Sequence, residues 1–251
     1  MQKRLIPVLQ IDRNRRLVKT EGFDERTYIG DPFNVIRLFN EKEVDELCVL
    51  DIDASRDGRR PDFGFLRELA SECFMPLSYG GGITKHEDCE RLNRDGVEKF
   101  ILGRGALIKG LAASLSLSFG SQAVVACVDV KGSGDKAVCI STAGATSVRP
   151  EEYCASLERD GVGEIILQSV DRDGRRLGYD LELISRVAPL LNIPVIALGG
   201  AGEHSHFSEA LRVGASAAAS GSAFCFIGRL RAVLISYPDS TEREKIYEEA
   251  R

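Results

Sequence analysis

The sequence predicts an α/β fold, a single (β/α)8 TIM barrel, and three observations support this prediction. Eight short apolar runs alternate with amphipathic helical segments along the 251 residues. The chain also repeats itself once, at an offset of about 120 positions. Its length suits one such barrel, because a minimal domain is shorter and two large domains are longer. An open doubly wound sheet is the alternative, although that fold usually has fewer strands for this length.

The eight apolar runs are short, as barrel strands are, and helical patterns lie between them. The predicted strands span residues 4–10, 46–52, 76–80, 98–102, 123–129, 164–169, 194–198 and 216–220. Several helical patterns begin with Asp or Pro and stop near Gly, as helix punctuation predicts. Helices are predicted at residues 31–42, 61–74, 85–96 and 179–191. Segment 131–150 is predicted to be a loop with a short hairpin.

The internal repeat aligns four strand ends of the first half with four of the second. The matched pairs are Gln10 with Asp129, Asp51 with Asp171, Gly81 with Gly200, and Gly103 with Gly221. A single offset for four matches indicates two half-barrels of four strands each. We therefore predict one domain over residues 1–251, with half-barrels at about 1–120 and 121–236 and a charged C-terminal tail at 238–251.

The composition excludes several classes of function. A net charge of −5 and a pI near 5.4 argue against a general nucleic-acid binder. No apolar run reaches the roughly 18 residues that span a bilayer, and the N-terminus has too short an apolar core for a signal peptide. Seven cysteines without a C-x-x-C spacing indicate reduced thiols in a cytoplasmic protein. The three histidines, His86, His204 and His206, form no recognisable metal or triad pattern, so no metal and no cofactor are predicted.

Glycine-rich strand ends occur at matching places in both halves. Glycines allow backbone N–H groups to approach an anion closely, and a following helix N-terminus favours negative charge. The candidate phosphate cradles contain Gly81, Gly82, Gly103 and Arg104 in the first half, and Gly199, Gly200, Gly221 and Ser222 in the second. The alternative is that these glycines only make tight turns. Two cradles on opposite sides of one barrel mouth predict a long, doubly phosphorylated ligand.

Carboxylates between the two cradles are candidates for acid and base chemistry. They are Asp51, Asp53, Asp129, Asp171 and Asp173. Helix caps or ion pairs are the alternative, which we expect for at least two of them. Asp129 stands out, because it follows the unbroken apolar run AVVACV and opens the glycine-rich segment KGSGDK.

Charged residues are predicted at the opposite ends of the strands. Arg4, Glu46, Lys99 and Glu164 each begin a strand, with one in each alternate strand and with signs that alternate around the ring. Such a ring can close the barrel floor by salt bridges and gate a small solute. The alternative is a plug of ion pairs that only satisfies buried charge.

From Lys3 to about Phe226 the chain resembles HisF, the cyclase subunit of imidazole glycerol phosphate synthase. The motifs that carry the resemblance include KRLIPVL, YIGDP, DELCVLDIDAS, PLSYGGGI, VVACVDVK and IPVIALGGAG. The resemblance implies a barrel whose glutaminase partner, HisH, docks on the bottom and supplies ammonia through the charged ring to the mouth. Arg4, Glu46, Lys99 and Glu164 match the family's four gate positions.

The resemblance also reveals departures at the mouth. Two aspartates act as general acid and base in the family; one matches Asp129, but the other matches Gln10, which has no titrating proton. The Asn-Thr pair usual in the first phosphate loop is Gly103-Arg104 here, and Gln168 replaces a Thr or Asn. The second cradle matches the family's residues more closely than the first does. Its matching residues are Asp173, Gly174, Gly200, Gly221 and Ser222.

This combination is closest to HisF-like paralogues associated with glycosyl amidation (WbuZ-type). The resemblance implies a HisH-like glutaminase, a phosphorylated small molecule or sugar nucleotide at the mouth, and a sugar amidotransferase that makes surface polysaccharides. Two alternatives remain open. One is a working histidine-pathway cyclase in which Asp12, on the same strand face as Gln10, replaces the missing acid. The other is a non-catalytic barrel that only activates its glutaminase.

Overall fold

The computed structural model describes residues 3–141, 144–145, 148–228 and 230–251. The strands of this part are β1 (Arg4–Ile11), β2 (Leu17–Glu21), β3 (Glu25–Gly30), β4 (Leu47–Asp51), β5 (Leu77–Gly80), β6 (Lys99–Leu102), β7 (Val124–Lys131), β8 (Val138–Ser141), β9 (Gly144–Ala145), β10 (Glu164–Ser169), β11 (Val195–Leu198), β12 (Ala217–Ser220), β13 (Phe226–Ile227) and β14 (Ala232–Val233). The helices are α1 (Pro32–Glu41), α2 (Ala54–Asp57), α3 (Phe63–Ser71), α4 (His86–Arg94), α5 (Leu111–Phe119), α6 (Pro150–Arg159), α7 (Leu181–Val187), α8 (His204–Arg212), α9 (Ser222–Cys225) and α10 (Ser240–Glu249).

Eight parallel strands close into a barrel in the order β1, β4, β5, β6, β7, β10, β11, β12. The last strand returns to the first, with Arg4 paired in register with Ala217. This confirms the predicted (β/α)8 barrel, and every predicted strand lies within two residues of an observed one. None of the described helices is both long and apolar enough to cross a membrane.

Alternating side chains divide the apolar residues into two cores, as the two-residue period of a strand requires. Leu5, Leu9 and Phe100 belong to the large core between the strands and the helices. Ile6 and Val8 belong to a smaller core enclosed by the strands. This inner core separates the barrel floor, where the strands begin, from the mouth, where they end.

The C-terminal segment differs from the prediction of a charged tail. Residues 240–249 form α10, the eighth helix of the barrel, which packs against α8. Asp239 and Glu242 form a capping box at its start, and Ile246 is buried. Its periodicity is weak, because few of its side chains are apolar, so the amphipathic signal was missed. The second half-barrel therefore extends beyond residue 236.

Removal of this helix cap provides a test of how firmly α10 is attached. We expect Asp239→Ala to lower the free energy of unfolding by about 1 kcal/mol, since the Glu242 N–H would lose its acceptor, which lies at 2.9 Å. Urea denaturation at neutral pH measures the change. Glu244→Ala, on the exposed face of the same helix, is the matched control and should change stability by less than about 0.5 kcal/mol.

A β-hairpin that the sequence did not predict extends from the mouth. β2 and β3 pair in antiparallel fashion and reach the loop after β10, where the Gly22 N–H donates to the Asp173 carbonyl at 3.1 Å. Arg231, in the β13–β14 connection, forms an ion pair with Glu21 at 2.7 Å. The hairpin is thus held across one side of the mouth.

The described part of segment 131–150 contains the predicted short hairpin. β8 pairs with β9, with Ile140 opposite Ala145 and Ser141 opposite Gly144. β8 also extends the sheet from β7. Residues 142, 143, 146 and 147, which belong to the same predicted loop, lie outside the described residues.

Candidate active site at the barrel mouth

Asp129 is the mouth carboxylate whose pKa burial raises. It lies at the end of β7, in register with Gln168 of β10, and it is half-buried. In the described part of the chain its one hydrogen-bond partner is the Cys127 thiol, 3.7 Å away. Burial, with a smaller contribution from the negative charge of Asp173, raises the pKa of Asp129 to about 7. A carboxyl with that pKa can both accept and donate a proton near neutral pH.

Two of the other carboxylates hold the first-half loop together. Asp51 accepts hydrogen bonds from the backbone N–H groups of Asp53 (3.1 Å) and Ala54 (2.8 Å). Asp53 is fully buried and binds the Arg26 guanidinium through both oxygens, at 2.7 and 2.8 Å. The hydrogen bond from Arg26, opposed by burial, holds the pKa of Asp53 well below its usual range. Asp51 and Asp53 therefore take the structural roles, helix cap or ion pair, that were expected for at least two of the five mouth carboxylates.

The remaining two carboxylates fix the second-half loops. Asp171 accepts from the Gly132 N–H at 2.7 Å. Asp173 is buried and binds Lys19 Nζ at 3.0 Å and the Thr20 hydroxyl at 3.0 Å. Asp173 is therefore part of a buried network, whereas Asp171 is exposed and accepts from a single backbone N–H.

Gln10 belongs to the same buried network. Its Oε1 atom accepts from the Thr20 N–H at 3.0 Å and from Lys19 Nζ at 3.3 Å, and the Thr20 hydroxyl lies 3.2 Å away. Lys19 and Thr20 were missed in the sequence because their hairpin was not predicted. In the segment LVKTE, Lys19 stands between Val18 and Thr20. This alternation was the available signal for a partly enclosed strand.

The placement of Asp12 contradicts the expectation that it shares the inward face of Gln10. β1 ends at Ile11, and the chain turns there. The Asp12 carboxylate accepts from Arg16 Nε (2.9 Å) and Nη2 (2.7 Å) and from the backbone N–H groups of Asn14 and Arg16. Burial opposes ionisation, but these hydrogen bonds outweigh it and lower the pKa of Asp12. Asp12 therefore stabilises a turn, and the strand-face argument for it as a replacement acid is wrong.

The second-half cradle combines tight turns with an unpaired hydroxyl. A Cβ on Gly200 would lie 2.2 Å from the Gly178 carbonyl oxygen, so glycine is required there by packing alone. The same holds for Gly199 and Gly174, whose added Cβ atoms would meet backbone carbonyls. Ser222, next to Gly221, differs, because its buried hydroxyl has no hydrogen-bond partner in the described residues. It is an enclosed polar atom of this cradle that the described residues leave unpaired.

The first-half cradle has open space at Gly103. Gly81 and Gly82 pack too tightly for any side chain, since an added Cβ would lie 2.8 Å from Asp51 and 2.2 Å from the Arg59 carbonyl. Gly103 has an ordinary φ of −92° and nothing within 4 Å of an added Cβ. Arg104 donates to the Ser55 carbonyl at 2.9 Å across this opening. The space beside Gly103 is open, so a ligand could approach its backbone closely.

The predicted ring of salt bridges is present at the floor. Lys99 Nζ binds Glu46 at 2.9 Å and Glu164 at 2.8 Å, and Arg4 binds the same two carboxylates. The placement in alternate strands was only partly right. Glu46, Lys99 and Glu164 precede or begin the second, fourth and sixth barrel strands, but Arg4 begins the first. The eighth strand contributes the small Ala217 opposite Arg4, which leaves room for the guanidinium.

The cysteines and histidines have structural environments. All seven cysteines are free thiols, and burial raises the pKa of Cys48, Cys89 and Cys225 to about 12. His206 Nδ1 accepts from the Gly202 N–H at 3.1 Å. Over the described ranges, no three His, Cys, Asp or Glu side chains are grouped as metal ligands would be.

The fold and the mouth define a class of protein, the (β/α)8 barrels that place their reactive groups at the carboxyl ends of the strands. A family model described as "Histidine biosynthesis protein" matches residues 4–230, and the chain belongs to this family, among its HisF members.

Relatives cover almost the whole chain. A "Putative imidazole glycerol phosphate synthase subunit hisF2" of Pseudomonas aeruginosa is 46% identical over 95% of this chain and 97% of its own length. A "Putative imidazole glycerol phosphate synthase subunit HisF" of Leptospira borgpetersenii is 40% identical over 98% and 99%. An "Imidazole glycerol phosphate synthase subunit HisF" of Exiguobacterium sibiricum is 38% identical over 89% and 91%.

Proposed function

We propose that this protein is a HisF-type synthase subunit that receives ammonia from a HisH-like glutaminase and serves the amidation of a sugar in surface-polysaccharide synthesis. The observation that carries the proposal is Gln10, a buried carboxamide where the resembled cyclase has its second catalytic acid. Asp129, on the opposite side of the barrel, is a mouth carboxyl whose pKa is raised to about 7. A cyclisation that needs two acid/base groups lacks one of them.

The floor and the inner core support ammonia as the transferred molecule. The ring of Arg4, Glu46, Lys99 and Glu164 is the polar entrance, and the residues above it are apolar, such as Val125 and Ile166. Neutral ammonia crosses an apolar interior far more easily than ammonium does. From Glu164 to Gln168 the strand rises by four residues, or about 13 Å. The path from floor to mouth is therefore short.

An exposed aromatic side chain supports a protein partner at the floor. Phe74 lies between α3 and β5, on the floor side, and is 86% exposed. Phenylalanine is enriched in protein interfaces relative to the rest of a protein surface. The relatives are named as subunits, which fits an assembled enzyme. We propose the glutaminase as the protein that covers Phe74 and the ring.

The two cradles support a phosphorylated small molecule or a sugar nucleotide as the ligand at the mouth. Ser222 offers a free hydroxyl in one cradle, and Gly103 leaves open space in the other. Arg104 would add a fixed positive charge to the first cradle, which suits a phosphate different from that of the cyclase substrate. A sugar amidotransferase is the proposed recipient of the product or of the ammonia itself.

The names of the relatives favour a second candidate, the histidine-pathway cyclase. An assay with the phosphorylated aminoimidazole precursor and ammonium salt separates the two. We expect no imidazole product from the unmodified protein, because Gln10 cannot exchange a proton. Gln10→Asp is the matched control, and product from this variant would show that the scaffold and the precursor site are intact. Turnover by the unmodified protein would contradict the proposal. A third role, in which the barrel only activates its glutaminase, predicts that Lys99→Ala leaves product amination unchanged.

A further inference from the structure

The hairpin of β13 and β14 carries a group of exposed aliphatic side chains at the barrel mouth. This aliphatic group consists of Ile227, Leu230, Val233 and Leu234. We infer that the hairpin docks the protein on an anionic lipid surface, where the aliphatic group enters the boundary between headgroups and acyl chains. Arginines around the hairpin then lie against the lipid phosphates. The inference goes beyond the proposed function and does not depend on it.

The hairpin is held in a fixed position against the barrel. Phe226, in β13, is buried. The Leu234 N–H donates to the Cys225 carbonyl at 2.9 Å, which continues the antiparallel ladder beyond β14. Arg176, in the loop after β10, donates from Nη1 to the Gly228 carbonyl at 2.8 Å. The exposed side chains are therefore presented in place, without the entropy cost of ordering a loop on binding.

Exposed aliphatic side chains occur on both faces of the hairpin and at its tip. Successive residues of a strand point to opposite faces, so Val233 and Leu234 lie on different faces. Leu230, in the connection between the two strands, is 96% exposed. A flat protein surface covers only one face of such a hairpin, whereas a fluid lipid layer surrounds an inserted tip on all sides. The shape of the aliphatic group therefore favours insertion into lipid.

The composition of the hairpin also distinguishes a lipid surface from a protein partner. Residues 227–234 read IGRLRAVL, with no aromatic and no acidic side chain. Leucine and valine are under-represented among the residues that dominate protein–protein binding. Leucine together with arginine is instead typical of amphipathic segments that lie in the membrane interface, and such attachment needs no membrane-spanning helix.

Arginines around the hairpin supply a positive charge that the chain as a whole lacks. The net charge is −5, but segments 172–177 and 227–234 together contain five arginines and a single acidic residue. That acidic residue is bound by Lys19, and Glu21 offsets only Arg231. A locally positive surface on an acidic protein complements anionic headgroups.

The contacts of the hairpin also determine which end of the barrel faces the lipid. Gly228 is bound from the loop after β10, and Arg231 is bound from the β2–β3 hairpin. Both of these connections leave barrel strands at the mouth. Docking therefore places the mouth beside the lipid surface, and the floor, which is the surface proposed for the glutaminase, faces away from it.

Flotation with lipid vesicles tests the inference on the full chain. Vesicles of phosphatidylcholine alone are compared with vesicles of equal parts phosphatidylcholine and phosphatidylglycerol. We expect the partition coefficient to be at least about fivefold higher on the anionic vesicles, since each arginine near such a surface contributes about a fivefold gain. Arg175→Gln removes an exposed arginine and should lower binding to the anionic vesicles about fivefold, with no change on the neutral ones.

The aliphatic contribution is tested at the tip. Leu230→Ser should lower binding to the anionic vesicles at least about tenfold, because the apolar area that leaves water is lost. Leu117→Ser is the matched control, since Leu117 is also almost fully exposed but lies on α5 in the first half-barrel. It should bind the vesicles as the unmodified chain does. Urea denaturation should show that both variants keep the stability of the unmodified protein.

Tryptophan fluorescence provides a second readout. The chain contains no tryptophan, so Leu230→Trp and Leu117→Trp each add a single reporter. The emission of Leu230→Trp should shift to shorter wavelength with the anionic vesicles, because its ring leaves water, and the emission of Leu117→Trp should not.

Three outcomes would overturn the inference. Failure of the unmodified chain to float with the anionic vesicles would do so and would leave the hairpin to a protein partner. Flotation that Leu230→Ser leaves unchanged would show that the hairpin does not carry the binding. Self-association without lipid, measured by sedimentation and abolished in Leu230→Ser, would assign the hairpin to a second copy of the chain.

Discussion

Glu164→Gln is expected to lower the free energy of unfolding by about 3 kcal/mol. Glu164 is 4% exposed and binds both Arg4 and Lys99, so its neutral replacement leaves two cations around Glu46 alone. Removing one partner from a buried ion-pair group costs about 3–5 kcal/mol, because the remaining charges are uncompensated. Because Arg4 and Lys99 are partly exposed, we expect a value at the lower end of this range. Guanidinium denaturation at pH 7 measures it.

The control for this prediction is an ion pair on the surface. Glu72→Gln removes the partner of Arg37, and both side chains of that pair are exposed. We expect a change below about 1 kcal/mol there. A similarly small change for Glu164→Gln would show that water compensates the floor charges, and the ring would then be a poor barrier to solutes.

Asp129→Asn is expected to reduce formation of the aminated product by a factor of about 10²–10⁴. The same substitution is expected to stabilise the protein at alkaline pH. The loss of activity follows from removal of a mouth carboxyl whose pKa of about 7 suits acid/base chemistry. The gain in stability follows from the same pKa. The native carboxyl retains its proton to higher pH than the unfolded one, whose pKa is near 3.8, so wild-type stability falls as the pH rises from about 4 to about 7.

The stability difference between the two proteins therefore depends on pH. Asparagine stays neutral, so at pH 8 the variant should be more stable by about 2–4 kcal/mol, and near pH 4 the two should differ little. Urea denaturation at both pH values measures this. Asp135→Asn, on the exposed loop after β7, is the control and should show no such pH dependence. Equal stabilities at pH 8 would mean that the Asp129 carboxyl titrates as an ordinary exposed group.

The strands could be predicted because each combines a short apolar run with a strand-end motif, whereas elements without those signals were missed. α10 has a strong capping box but few apolar residues, so composition favoured a tail. The β2–β3 hairpin has exposed residues along most of β3, which weakens its alternation. Both misses are cases in which contacts with the rest of the barrel, rather than local patterns, stabilise the element.

The positions of candidate site residues could be predicted only where they depend on a place along a strand. Gln10, Asp129 and the floor ring follow directly from strand ends. Asp12 was wrongly placed, because a turn after Ile11 ends the strand parity on which the prediction depended. Lys19 could not be assigned, since its contact with Asp173 joins residues 154 positions apart. Such contacts arise from the closure of the barrel and leave no local trace in the sequence.

The attachment of α10 brings Lys3 and Ala250 together beside the floor. Lys3 Nζ donates to the Ala250 carbonyl at 3.0 Å, and Tyr247 donates to Asp45, next to the ring. A circular permutant, in which a short linker joins these ends and the chain opens near Gly120, should retain the barrel. A fusion tag at either end would instead stand at the floor and obstruct the surface proposed for the glutaminase. Purification through an internal tag in an exposed loop at the mouth avoids that obstruction.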